Sequence, residues 1–88
     1  MKNTTSPTTF AHMQAFLDKT RGQITLGEIP PIERAALAAV GKKVHVALLG
    51  RDGETMGQLL ERLDTALGKV MADKSVIDEV LPEIKRRR

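Results

Sequence analysis

Histidines, nucleophiles and carboxylates are where chemistry would start, and this chain has few that could cooperate. His12 and His45 are its two histidines, and it has no cysteine. A thiolate nucleophile, a disulfide and a Cys-ligated metal are therefore excluded. Neither histidine belongs to an HExxH pair, and no Walker-type glycine loop is present. Ser75, His45 and Asp52 supply the residue types of a hydrolytic triad, but a triad is defined by geometry rather than composition. Asp52 and Glu54, in Arg51-Asp52-Gly53-Glu54, offer two carboxylates, whereas an EF-hand-type loop presents about five or more oxygen ligands. They read as favourable charge at the start of the helix that follows. His12 reads as a solvated residue on the polar side of a helix, and His45 as a partly buried histidine. These residues predict a non-enzymatic protein with no catalytic group, no metal, no cofactor and no evident small-molecule substrate.

The cations offer a second chemistry, phosphate binding. The 88 residues carry a formal net charge of +3. Residues 51–84 hold four basic and eight acidic side chains, while Lys85, Arg86, Arg87 and Arg88 are all basic. The whole excess thus lies in the last four residues, and no strongly basic face is spread over the body. Two local spots remain as candidate nucleic-acid contacts: Lys42 and Lys43 with neighbouring His45, and the terminal run Lys85 to Arg88. Neither is interleaved with aromatics, as stacking platforms for nucleic acid usually are.

The elements that must position these residues read as helices. Residues 1–8 are polar, contain Pro7 and lack the apolar area to offset ordering, which predicts a flexible tail. Residues 9–84 then form one domain, and residues 85–88 a basic tail. Phe10, Met13, Phe16 and Leu17 recur at helical spacing, predicting a helix over 9–20 capped by Thr8 or Thr9. Residues 23–31, with Gly27 and the Pro30-Pro31 pair, read as an extended connector. Pro31 suits the first turn of a helix, and IERAALAAV has high helix propensity. At 100° per residue Ile32, Ala36, Leu37, Val40, Val44, Ala47 and Leu48 share a face, predicting a second helix over 32–49. The competing reading is a short strand at 43–49, with Val44, Val46 and Leu48 inward.

A third helix, 54–72, has the clearest pattern, with Thr55 and Gln58 in capping-box form. Gly57 and Gly68 would permit another helix to approach closely. A fourth helix, 76–81, follows Ser75, with Asp78 in a second capping-box pattern and Pro82 as its end. The expected fold is mainly α, a single-domain bundle of about four helices; the alternative is α+β with the strand at 43–49.

Met56, Leu59, Leu60, Leu63, Leu67 and Val70 line one side of the third helix at 3–4 spacing. Such a seam packs on the rest of its own chain or pairs with a second copy. Small domains with thin cores often oligomerise, and only Phe10 and Phe16 are aromatic here. The expected function is therefore a small protein-interaction module, self-associating through residues 56–71 as a homodimer or binding another protein. No apolar run approaches the roughly 20 residues that span a bilayer. No apolar signal segment follows Met1. A cytoplasmic location without a membrane partner is expected.

From Leu59 the chain reads LLERLDTALGKVMADKSVIDEVLPEIKRRR. With Lys43 to Leu48 as a strand, residues 43–81 resemble ribbon–helix–helix DNA-binding regulators, small dimeric proteins common among antitoxins. In that family paired strands from two subunits enter the major groove. The resemblance implies DNA contact by Lys43, His45 and Ala47, a helix cap at Ser75, and apolar positions at Ile77, Val80 and Leu81. This chain departs from the pattern by placing ten residues, 49–58, between the strand and Leu59.

Overall fold

The computed structural model describes residues 10–87. Helix α1 (Ala11–Thr20) leads into three strands, β1 (Gln23–Ile29), β2 (Ile32–Val40) and β3 (Lys43–Leu49). Helix α2 (Met56–Asp73), a two-residue strand β4 (Ile77–Asp78) and helix α3 (Val80–Arg86) follow. The strands form one sheet in the order β1-β2-β3-β4. The first three make an antiparallel meander, and β4 runs parallel to β3 through Val46–Ile77 and Ala47–Asp78. Among the described residues the fold is α+β, with three helices and a four-stranded sheet, so the four-helix bundle is overturned.

The correction centres on residues 32–49, where the expected helix is two strands. Pro31 does not open a helix; it lies in the tight β1–β2 turn, after a cis peptide to Pro30. Gly41, at φ 58°, takes the left-handed conformation that the β2–β3 turn requires. Alanine's helix propensity yields here to tertiary packing. Strand β2 is central and covered on both faces, with Ala36 and Ala38 towards α1 and α2 and Ala35 towards α3. Burial on both sides removes the polar–apolar alternation by which a strand is recognised. The expected helix over 76–81 is likewise corrected to β4 followed by α3. Pro82 lies in the first turn of α3, where its missing N–H breaks no intrahelical bond. Asp78 accepts from the N–H groups of Val80 and Leu81, both at 2.9 Å.

Two cores result. On one face Phe16, Ala36, Ala38, Val46 and Leu48 pack against Leu59, Leu63, Ala66, Leu67 and Val70 of α2. On the other, Ile32, Ala35 and Ala47 pack against Val80 of α3. The N-terminus of α2 has the expected capping box: Thr55 Oγ1 accepts from Gln58 N at 3.0 Å, and Gln58 Oε1 accepts from Thr55 N at 2.8 Å. The connector at 23–31 is an ordered strand, β1, with its turn. The first helix is shorter than the expected 9–20, beginning at Ala11, and its cap candidates Thr8 and Thr9 lie outside the described residues, as does the expected tail. Its first turn is tied to α2 instead, where Asp64 Oδ1 accepts from Met13 N at 2.8 Å.

Candidate interaction edge and basic pocket

The α2 seam is placed largely indoors. Leu59, Leu63 and Leu67 have no exposed surface and Val70 keeps 3 %. Leu60 is half-buried, and Met56 is the one exposed member, at 47 %. The four buried residues are spent on the chain's own sheet. Strand β3 is also occupied, with β2 along one edge and β4 along part of the other.

Among the described residues the sheet ends in two edge strands, the two-residue β4 and the longer β1. Strand β1 pairs with β2 on one side, and no described strand lies along the other. Residues 23–27 carry no charge, and the first charged side chain is Glu28. A register shift between Gly27 and Ile29 interrupts the edge beyond that point. Register sets Thr25 opposite Leu37, which lies opposite Ala47, and Gln23 opposite Ala39, which lies opposite Val44. Helix α3 packs against Ala47 at one side of this row. Thr25 is exposed and Leu37 and Val44 are half-buried, so the part of the sheet beside β1 is incompletely covered.

A groove of about 760 Å³ lies between the loop at 51–54, α2 and Glu79. Its central charges already have partners. Arg62 donates to both Glu54 oxygens and, through Nη2, to the Leu49 carbonyl at 2.6 Å. Glu79 Oε1 lies 3.6 Å from Arg62 and accepts from Leu49 N at 3.0 Å. The Arg62 guanidinium is the main reason the Glu54 carboxyl falls to about 2, and Glu54 in turn raises Arg62. This network fastens the end of β3 to α2 and to the start of α3. The terminal cations are also engaged: Arg86 and Arg87 both pair with Glu83, which holds that carboxyl below its usual value. Lys85 and Arg86 thus belong to α3 rather than to a free tail, while Arg88 lies outside the described residues.

A second cavity, of about 480 Å³, opens at the opposite end of the sheet. Lys19 and Thr20 come to it from α1, Lys43 and His45 from β3, Val70 and Met71 from α2, and Lys74 to Val76 from the following loop. Phe16, 1 % exposed, forms part of the floor and meets the His45 ring edge-on, with centroids 5.9 Å apart. Among the described residues, Lys19, Lys43 and Lys74 form no ion pair. The nearby Asp73 carboxylate accepts from Ser75 N at 3.0 Å, and the Ser75 hydroxyl beside it holds its pKa down. That hydroxyl is buried and makes no well-aligned hydrogen bond.

Of the expected nucleic-acid contacts, Lys43 and His45 line this pocket, whereas Lys85 and Arg86 sit on α3, on the far face of the sheet. Sequence reasoning missed Lys19 and Lys74, which lie 24 and 31 positions from Lys43 and share no motif with it. Their proximity follows from the meander, which returns the start of β3 to the ends of both long helices. Among the described residues no cluster of three or more His, Asp or Glu is placed to hold a metal ion, and no helix is long and apolar enough to cross a membrane. No family model, curated protein or solved structure matches the chain.

Proposed function

We propose that the protein is a non-enzymatic interaction module that associates with a second copy of itself through β1. The observation that carries this reading is the uncharged edge at residues 23–27, along which no strand lies among the described residues, beside an incompletely covered part of the sheet. A free strand edge presents unpaired N–H and C=O groups, a template for another strand. Antiparallel pairing about a two-fold axis sets residue i of one copy opposite j of the other and j opposite i; centred on 23–27, it places Thr25 opposite Thr25 and Gln23 opposite Gly27. Like charges so placed repel, and this segment has none. Leu26, 37 % exposed, gains apolar cover in the pair. This reading moves self-association from the α2 seam, now internal, to the sheet edge.

The test is mass in solution by light scattering, for the wild type and for Thr25→Lys. The Thr25 side chain is exposed, so the lysine is accommodated in the monomer yet meets its own copy across the two-fold. A dimeric wild type and a folded, monomeric variant are expected. A monomeric wild type, or a variant as dimeric as the wild type, overturns the reading.

A further inference from the structure

We infer that the cavity between α1, β3 and the C-terminal end of α2 binds an organic phosphate, a phosphomonoester carried on a compact planar or apolar body. This site is separate from the β1 edge and does not depend on self-association.

The charge arrangement is the first reason. Lys19, Lys43 and Lys74 reach one cavity from three separate segments. The larger groove at the opposite end sets Asp52, Glu54, Glu61 and Glu79 beside Arg51, Arg62 and Lys69, whereas among the described residues no carboxylate lines this cavity. Here the three ammonium groups have no carboxylate partner among the described residues. The C-termini of α1 and α2 account for part of this, since Lys19 is in the last turn of α1 and Lys74 is the C-cap residue of α2. A helix end is equivalent to roughly half a negative charge, so two ends offset about one of three cations. Lys43 begins a strand and has no such role. Counting the nearby Asp73 carboxylate as well, about one positive charge is still left unanswered at the cavity.

The ligand's class follows from the lining. Lysine presents a compact point charge with three donors, which suits a tetrahedral dianion more than the planar carboxylate that matches arginine. The floor is apolar, built from Phe16, Val70 and Met71, with the His45 ring at one wall. Methionine adapts its shape to what lies against it. A volume of about 480 Å³ falls within the roughly 300–1,000 Å³ of small-molecule sites. A free phosphate would leave the apolar floor uncovered, and an apolar molecule would leave the cations unanswered. A phosphomonoester on a ring meets both. The source is a free nucleotide or the phosphorylated end of a nucleic-acid strand.

The experiment is a titration of the ¹⁵N-labelled protein, followed by amide chemical shifts. Phenyl phosphate, inorganic phosphate and benzoate serve as probes. Phenyl phosphate is expected to shift residues 19–20, 43–45 and 70–76 and to bind tightest. Lys43→Glu is expected to weaken it about tenfold or more, the loss of one charge-assisted contact. Lys69→Glu makes the same change in net charge on the far side of α2, in the larger groove, and is expected to leave binding unchanged. Lys19→Glu is the second variant should Lys43→Glu not fold. Benzoate binding as tightly, shifts outside the cavity, or equal losses from the Lys43 and Lys69 variants overturn the assignment. Adenosine monophosphate and an oligonucleotide with and without a 5′-phosphate separate the two sources. Preference for the mononucleotide, or for the phosphorylated strand over its hydroxyl counterpart, supports the site. Indifference to the terminal phosphate together with no response to the mononucleotide overturns it.

Discussion

The Arg62 guanidinium grips the Glu54 carboxylate at both oxygens, Nε to Oε2 at 2.7 Å and Nη2 to Oε1 at 3.0 Å. Such a bidentate pair is geometrically specific as well as attractive. The same Nη2 reaches the Leu49 carbonyl, so one side chain closes the junction where the sheet hands over to α2. The folded state holds the Glu54 carboxyl at about 2 against an ordinary 4.5. Asp73 and Glu83 are shifted in the same direction.

A depressed carboxyl contributes stability that is present above its unfolded pKa and lost as pH falls through the folded one. For Glu54 that window runs from about 4.5 down to about 2. Glu54→Gln should therefore lower Tm at neutral pH, and the gap to the wild type should shrink across that window. Circular dichroism melts at a series of pH values read this, since the chain has no Trp or Tyr for fluorescence. A gap that stays constant from neutral pH to pH 2 contradicts the role given to the pair.

Leu63 and Met56 occupy the same helix stripe with opposite environments, 0 % and 47 % exposed. Leu63→Ala should cost about 2–5 kcal/mol in urea unfolding, through lost burial and the cavity left behind. Met56→Ala should stay within about 0.5 kcal/mol. Comparable losses at both positions would place the stripe at a surface between copies rather than in the core.

Gly22 and Gly68 are both sites of close approach, with different neighbours. A Cβ on Gly22 would stand 2.6 Å from the Ala39 carbonyl oxygen and 2.7 Å from the buried Phe16 ring. Neither can yield, so Gly22→Ala should destabilise by about 1–3 kcal/mol. The three atoms nearest a Cβ on Gly68 all belong to the His12 ring, the first at 2.7 Å, and His12 is exposed, so its side chain has room to turn away. Gly68→Ala should be neutral or gain up to about 1 kcal/mol of helix propensity. Denaturation midpoints of the two variants decide this, and a tolerated Gly22→Ala would refute the packing described.

Thr55→Ala should remove about 1 kcal/mol by leaving the Gln58 N–H without its cap. The readout is the chemical denaturation midpoint, with no change in solution mass.

Helix α2 was legible from the sequence because three signals agreed there: apolar spacing, the Thr55–Gln58 box and the acidic charge of Asp52 and Glu54 at its start. Residues 32–40 misled for a physical reason. In IERAALAAV the small side chain fits both faces of a buried strand, so neither period 2 nor period 3.6 is imposed by the need to hide bulk. The alternation Val44, Val46, Leu48 was visible but short, and its true partners, β2 and β4, were hidden by reading both as helix. The site was legible only in part. Lys43 and His45 stood out as a local cluster, while Lys19 and Lys74 joined them only through tertiary structure. The terminal arginines stood out most in sequence, yet Arg86 and Arg87 are the cations that Glu83 already answers.

Four of the nine residues of β2 are alanine, and all four are buried. This makes β2 a thin spacer between two packed layers, with almost no side-chain depth to absorb a change. A bulkier residue at Ala36 or Ala38 would press on the α2 side, and one at Ala35 on the α3 side. Because interiors are close-packed and transmit strain, a displacement on either side would pass through the sheet to the other. The two faces of this small domain are therefore mechanically coupled through a single strand, and the sequence of β2 has less freedom to drift than the bulkier, one-sided surfaces around it.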